Sequence, residues 1–136
     1  MVANFQWSIN DWHELVNSGV LAGHHVELLE GEIVQISPEA PIHSSTNYSV
    51  VEYFRALLKD RAVVREAHPI TLDNSEPEPD IAVVRSPYTG YFNRHPYPQD
   101  IYWLVEISNR TLKLDLEKNR RFMLITVFPN IGLSIW

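Results

Sequence analysis

Two short apolar runs each carry an acidic residue at a position where a strand would bury it. The first run, residues 78–84, contains Asp80, and the second, residues 102–108, contains Glu106. Both are rich in β-branched and aromatic residues, a composition typical of strands. An unpaired carboxylate among apolar neighbours is costly to desolvate. We therefore expect the two carboxylates to share a cation, although Asp80 could instead accept from a turn donor and Glu106 could be a surface acid on an edge strand.

The order of these residues is similar to the signature of PD-(D/E)xK nucleases, which hold Mg²⁺ between acids on adjacent strands. Pro79 and Asp80 match its first part, and Glu106 matches the acid of its second part. Ser108 stands where the signature has a lysine.

This departure from the signature points to one particular family among these nucleases. A hairpin-like segment (residues 26–34) and His43 precede the two acids, and residues 115–118 read Asp-Leu-Glu-Lys after them. In this order, over about residues 7–121, the chain resembles the Uma family of putative restriction endonucleases. In that family a helix lysine replaces the strand lysine, and Lys118 has that place here.

The resemblance implies an endonuclease that uses Mg²⁺ or Mn²⁺ to hydrolyse phosphodiester bonds in DNA. Such hard cations take oxygen ligands and keep several waters. The metal would polarise the phosphate and lower the pKa of a bound water, while a lysine would orient that nucleophile or stabilise charge on the phosphate. The implied metal ligands are Asp80, Glu106, the carbonyl of Ile107 and Glu30, and the implied catalytic residues are Asp80, Glu106, Lys118 and His43.

Three of these assignments have plainer alternatives. Lys118 could pair with Asp115 on an ordinary solvated helix face. Glu30 stands beside a turn glycine, where acids are usually solvated, and His43 could be a surface residue at the start of a helix.

Composition limits the class of protein. The chain has 136 residues, of which 45% are hydrophobic and 21% charged, values typical of one globular domain. Because it has no cysteine, disulfides, thiolate zinc sites and cysteine nucleophiles are excluded. No apolar run is long enough to span a membrane and no signal peptide is apparent, so we expect a cytoplasmic protein without membrane partners. The net charge of −6 argues against a protein that coats nucleic acid.

The periodicity of the apolar residues predicts an α/β (α+β) domain. The resemblance implies, more narrowly, a restriction-endonuclease-like mixed β-sheet flanked by helices. Trp12, Leu15 and Val16 would be the buried face of the first helix. Residues 86–100 form a long loop whose aromatic side chains could stack on bases or pack against the core. The predicted elements are helices at 8–16 and 44–59, a hairpin at 26–36, strands at 62–64, 69–72, 78–84 and 102–108, and a helix that begins near Leu112.

The end of the chain departs from the family. Suitable codons for Val127 to Trp136, read from their third bases, spell Phe-Pro-Glu-Tyr-Trp-Val-Val-Asn-Leu, which contains the Glu-Tyr-Trp followed by apolar residues that the family has there. We therefore predict a frameshift near Arg121, which divides the chain into one partial domain, residues 1–121, and a non-native tail, residues 122–136. The C-terminal part of the fold would be missing, and one strand would lose its neighbour.

Two main functions follow from these observations. The first is a metal-dependent endonuclease, which could cut both strands of DNA as a homodimer. The second is an inactive, truncated remnant that binds nucleic acid or metal weakly. A small acidic interaction module is a third alternative.

Overall fold

The computed structural model describes residues 1–108 and 122–127. This part of the chain contains two α-helices and six strands, and the predicted α+β class is confirmed. Among these residues, no helix is both long and apolar enough to cross a membrane. The elements are α1 (Ile9–Asn17), β1 (Val26–Leu29), β2 (Glu32–Gln35), α2 (Pro41–Leu58), β3 (Val63–Glu66), β4 (Ile81–Val84), β5 (Ile101–Ser108) and β6 (Phe122–Val127).

Helix α1 begins at a reciprocal N-cap. Ser8 Oγ accepts from the Asp11 N–H at 3.0 Å, and Asp11 accepts in turn from the Ser8 N–H. Trp12 is buried as predicted. The predicted burial of Val16 is wrong, because this side chain is 47% exposed at the edge of an open cavity.

The hairpin and the long helix are confirmed with shifted bounds. β1 and β2 pair antiparallel through a turn in which both Glu30 and Gly31 have positive φ. α2 begins at Pro41, three residues before the predicted start. A proline is favoured in the first helical turn because its missing N–H has no partner there.

The main sheet has the strand order β3-β4-β5-β6, and each of its pairings is antiparallel. All four residues of β4 are buried, because both faces of the sheet are covered. On one face, Ile81 and Val83 pack in a core that includes Val51 and Phe54 of α2. On the other face, Ala82 and Val84 pack with Ile70 and Ile101.

Residues 69–72 do not form the predicted strand. Ile70 and Thr71 are buried, but their N–H groups donate to the carbonyls of Pro77 and Pro96, which belong to two different segments. A ladder needs one continuous partner strand, so this segment is extended without being part of a sheet. The loop of residues 86–100 is confirmed, and it contains two short 3₁₀ helices.

Beside β5, the structure places Phe122–Val127 as the sheet's fourth strand. The expected loss of β5's neighbour is therefore not observed. The frameshift near Arg121 and the division at residue 121 stay predictions. The helix predicted to begin near Leu112 lies outside the described residues.

Candidate active site

The register of the main sheet places Asp80 opposite Glu106. Ile81 pairs with Val105 in the antiparallel β4–β5 ladder. Continuing this register by one residue places Asp80, which precedes Ile81, opposite Glu106, which follows Val105. Directly opposed residues of antiparallel strands hold their Cβ atoms about 5 Å apart. The two acids are far apart in sequence, but they meet at one end of the sheet.

Both oxygens of the Asp80 carboxylate have partners. The Ile107 N–H donates to Oδ2 at 2.6 Å, and Nε2 of His43 lies 2.9 Å from Oδ1. The His43 and Asp80 side chains are only 16% and 19% exposed. Glu39 Oε2 lies 3.4 Å from the same ring nitrogen of His43. The start of α2 is thereby linked to the carboxylate that precedes β4.

The backbone of Asp80 is fixed as well. Its carbonyl accepts from the Ala67 N–H at 3.0 Å and from Asn47 Nδ2 at 3.3 Å. Asn47 Nδ2 also lies 3.3 Å from Glu66 Oε1, while Asn47 Oδ1 is buried without a hydrogen-bond partner in the described part of the chain. These contacts fix the position of the Asp80 main chain and therefore the point from which its side chain extends.

Glu106 has a strongly perturbed carboxyl group. Loss of surrounding water, followed by the negative charge of Asp80 and a shared hydrogen bond with it, raises the pKa of Glu106 to about 8. The side chain keeps an exposed surface, so water screens part of this effect. At neutral pH, without a cation, this carboxyl group therefore tends to hold a proton.

A third acid, Glu27 of β1, lies near enough for its charge to contribute to the raised pKa of Glu106. Glu27 is buried, and its Oε1 accepts from the Glu78 N–H at 3.1 Å. Burial is the main cause that raises the pKa of Glu27 itself. The sequence reasoning missed Glu27 and chose Glu30 from the same hairpin. Glu30 is exposed at the turn, where its N–H donates to Ser75 Oγ, and no contact joins it to the other acids among the described residues.

The pair of acids fits a hard cation held by two carboxylates and water. Its donors are oxygens, and a proton or a cation offsets the burial and the negative charge of Asp80 that raise the pKa of Glu106. Mg²⁺ is commonly bound through one or two carboxylates while it keeps several waters. Within residues 1–108 and 122–127, no three His, Asp or Glu side chains come together as a metal-binding group. Ile107, expected to offer its carbonyl, contacts Asp80 through its N–H.

The predicted catalytic lysine, Lys118, lies outside the described residues. The structure therefore joins three of the four predicted catalytic residues, namely Asp80, Glu106 and His43. The backbone of Ser108, which stands in the place of the strand lysine, pairs with Phe122 in the β5–β6 ladder.

Comparison with protein families gives a match over most of the chain. A family model described as "Uma2: Putative restriction endonuclease" matches residues 11–124. This span includes Glu27, His43, Asp80, Glu106 and Lys118 and covers most of the chain. Comparison with curated proteins and with solved structures gives no significant match.

Proposed function

Because this chain belongs to the Uma2 family of putative restriction endonucleases, we propose that it hydrolyses DNA phosphodiester bonds with the help of Mg²⁺ or Mn²⁺. The observation that supports this most strongly is the pairing of Asp80 with Glu106. Glu106 lies beside another acid, and that neighbour contributes to its raised pKa. Acids placed in this way are candidates for a functional site, since a structural acid is more often paired with a base.

In this proposal Asp80 and Glu106 hold the cation. When bound, the cation polarises the scissile phosphate and lowers the pKa of a water molecule. The Ile107 N–H fixes Oδ2 of Asp80, and His43 can hold a proton at Nε2 beside Oδ1. Lys118 would then stabilise the negative charge that develops on the phosphate.

The test is nicking of supercoiled plasmid DNA in Mg²⁺ or Mn²⁺. Asp80→Asn and Glu106→Gln remove one negative charge each with little change of shape, and each should slow nicking about 100-fold or more. Glu52→Gln is the matched control, because Glu52 is a half-exposed acid on α2 that forms a salt bridge with Arg55. This control should nick at the rate of the unmodified protein.

Nicking that persists at full rate in both Asp80→Asn and Glu106→Gln would contradict the proposal. An unmodified protein that binds Mn²⁺ but nicks no DNA would favour the inactive metal binder instead. The same assay with a labelled RNA of equal length tests whether DNA is the substrate.

The homodimer and the cytoplasmic location stay predictions of the sequence. The family supports DNA as the substrate, and cutting a duplex with one site per chain requires two copies. Sedimentation with and without a DNA duplex would measure the number of copies.

A further inference from the structure

A separate cavity lies between α1 and the loop of residues 86–100. Its volume is about 420 Å³, within the range of roughly 300–1,000 Å³ that small-molecule sites occupy. His13 lines it from the helix, Phe92 and Tyr97 line it from the loop, and Glu76 lies among them. The proposed cleavage chemistry uses none of these residues.

The Glu76 carboxylate is buried at this cavity and bonded on both oxygens. Oε1 accepts from Trp12 Nε1 at 3.2 Å, and Oε2 accepts from Thr71 Oγ1 at 2.8 Å. His13 Nε2 lies 2.5 Å from the same Oε2. A buried carboxylate disfavours a phosphate group beside it, so next to Glu76 the base of a nucleotide fits better than its phosphate.

The loop side of the cavity is held in place by several contacts. Arg94 Nη1 donates to Asp100 Oδ2 at 2.7 Å, and its guanidinium carbon lies 4.5 Å and 5.5 Å from the ring centroids of Tyr97 and Tyr91. The Tyr91 hydroxyl donates to the Arg85 carbonyl at 2.8 Å. A wall fixed in this way costs a ligand little ordering entropy.

Phe92 offers an aromatic surface at the cavity. Its side chain is 67% exposed, and its ring contacts Tyr88 edge-to-face at a centroid distance of 5.7 Å. Asn17 and Asn93 also line the cavity, and their carboxamides make no hydrogen bond within the described residues. An amide carries both donors and an acceptor, which is the combination that base edges present.

We propose that this cavity receives one unpaired nucleobase, stacked on Phe92, while the sugar–phosphate backbone stays outside. This inference rests on the proposed function, because it states how that nucleic-acid substrate is held. Glu76 precedes Asp80 by four residues, so at most about 14 Å of extended chain separates them. At the duplex rise of about 3.4 Å per nucleotide, that distance spans at most about four nucleotides, so one strand can reach both places.

The test measures binding without cleavage. A short single-stranded oligonucleotide that carries one fluorescent 2-aminopurine is titrated with protein in excess EDTA. Phe92→Ser should raise Kd at least about fivefold, since one stacked base is worth that much or more, and should abolish the change in 2-aminopurine fluorescence that binding produces. Phe92→Tyr keeps the ring and should keep both signals.

Tyr53→Ser is the matched control. Tyr53 is 65% exposed on α2, and its ring contacts Phe54 edge-to-face at 5.9 Å, so it resembles Phe92 in exposure and packing but lies away from the cavity. Tyr53→Ser should leave Kd unchanged. An equal loss in Phe92→Ser and Tyr53→Ser would overturn the inference, and so would no change in Phe92→Ser or no binding by the unmodified protein.

The proposed nuclease activity and the proposed base site can be contradicted independently of each other. Plasmid nicking together with unaltered oligonucleotide binding in Phe92→Ser would overturn the base site and leave the nuclease. Binding that depends on Phe92, from a protein that nicks no DNA in Mg²⁺ or Mn²⁺, would leave the base site and overturn the nuclease.

Discussion

Replacing Glu106 with glutamine should stabilise the metal-free protein at alkaline pH. The pKa of Glu106 rises from 4.5 to about 8 on folding, so between these values the folded state binds a proton that the unfolded state has released. The free energy of unfolding therefore falls as pH rises through this window, and the loss is complete above the folded pKa. Below pH 4.5 both states are protonated, so Glu106 and glutamine should be nearly equivalent.

The size of this effect follows from the pKa, with a correction for solvent. A rise from 4.5 to about 8 corresponds to ~5 kcal/mol for a carboxyl group shielded from water. Because Glu106 keeps an exposed surface, it is only partly desolvated and water screens its repulsion with Asp80, so we expect about 1–2 kcal/mol at pH 8.5. For a chain of this length, that is a higher Tm by about 3–8 °C.

Thermal unfolding in EDTA at pH 4.5 and pH 8.5 measures this difference. Glu106→Gln should exceed the unmodified protein in Tm at pH 8.5 and equal it at pH 4.5. Glu52→Gln, a half-exposed acid on α2, should show no such dependence on pH. A Glu106→Gln variant that gains nothing at pH 8.5 would refute the raised pKa of Glu106 and its attribution to burial and to the charge of Asp80.

Three further changes test contacts in other parts of the fold and beside the site by thermal or denaturant unfolding. Glu76→Ala should lower the free energy of unfolding by about 2–4 kcal/mol, because it leaves buried donors without an acceptor. The control Glu52→Ala should change the free energy of unfolding by less than about 0.5 kcal/mol. Equal effects of the two substitutions would contradict this prediction. Asn47→Ala should cost about 1–2 kcal/mol through the lost bond to the carbonyl ahead of β4, and a gain in stability would show that its unpaired oxygen outweighs that bond. Gly31→Ala should cost about 1–2 kcal/mol, because Gly31 has a φ of 77° and an added Cβ would lie 2.4 Å from Gln6 Oε1. Adding Gln6→Ala should recover only the part due to that contact, and full recovery would contradict the strain at positive φ.

The candidate site was predictable where one local rule was enough. An acid inside an apolar strand run indicated Asp80 and Glu106, and the structure brings both to one end of the sheet. The same rule applies to Glu27, which lies between Val26 and Leu28. The resemblance instead implies Glu30, at the turn of the same hairpin, although an acid beside a turn glycine is usually solvated. The sequence therefore carries a signal for the third acid as well.

Other features depend on packing between distant segments. Residues 69–72 have the composition of a strand, but their N–H groups find partners on two separate segments. The burial of Trp12 followed from helical periodicity, whereas the exposure of Val16 depends on where the loop of residues 86–100 lies relative to α1. The cavity beside Glu76 forms between those same segments, and neither segment indicates it alone.

The binding of Mn²⁺, followed by electron paramagnetic resonance at pH 8.5, tests the central claim most directly. The unmodified protein and Glu52→Gln should each bind one Mn²⁺ per chain, and Asp80→Asn and Glu106→Gln should both lose it. Equal Mn²⁺ binding by all four proteins would contradict a metal site at Asp80 and Glu106.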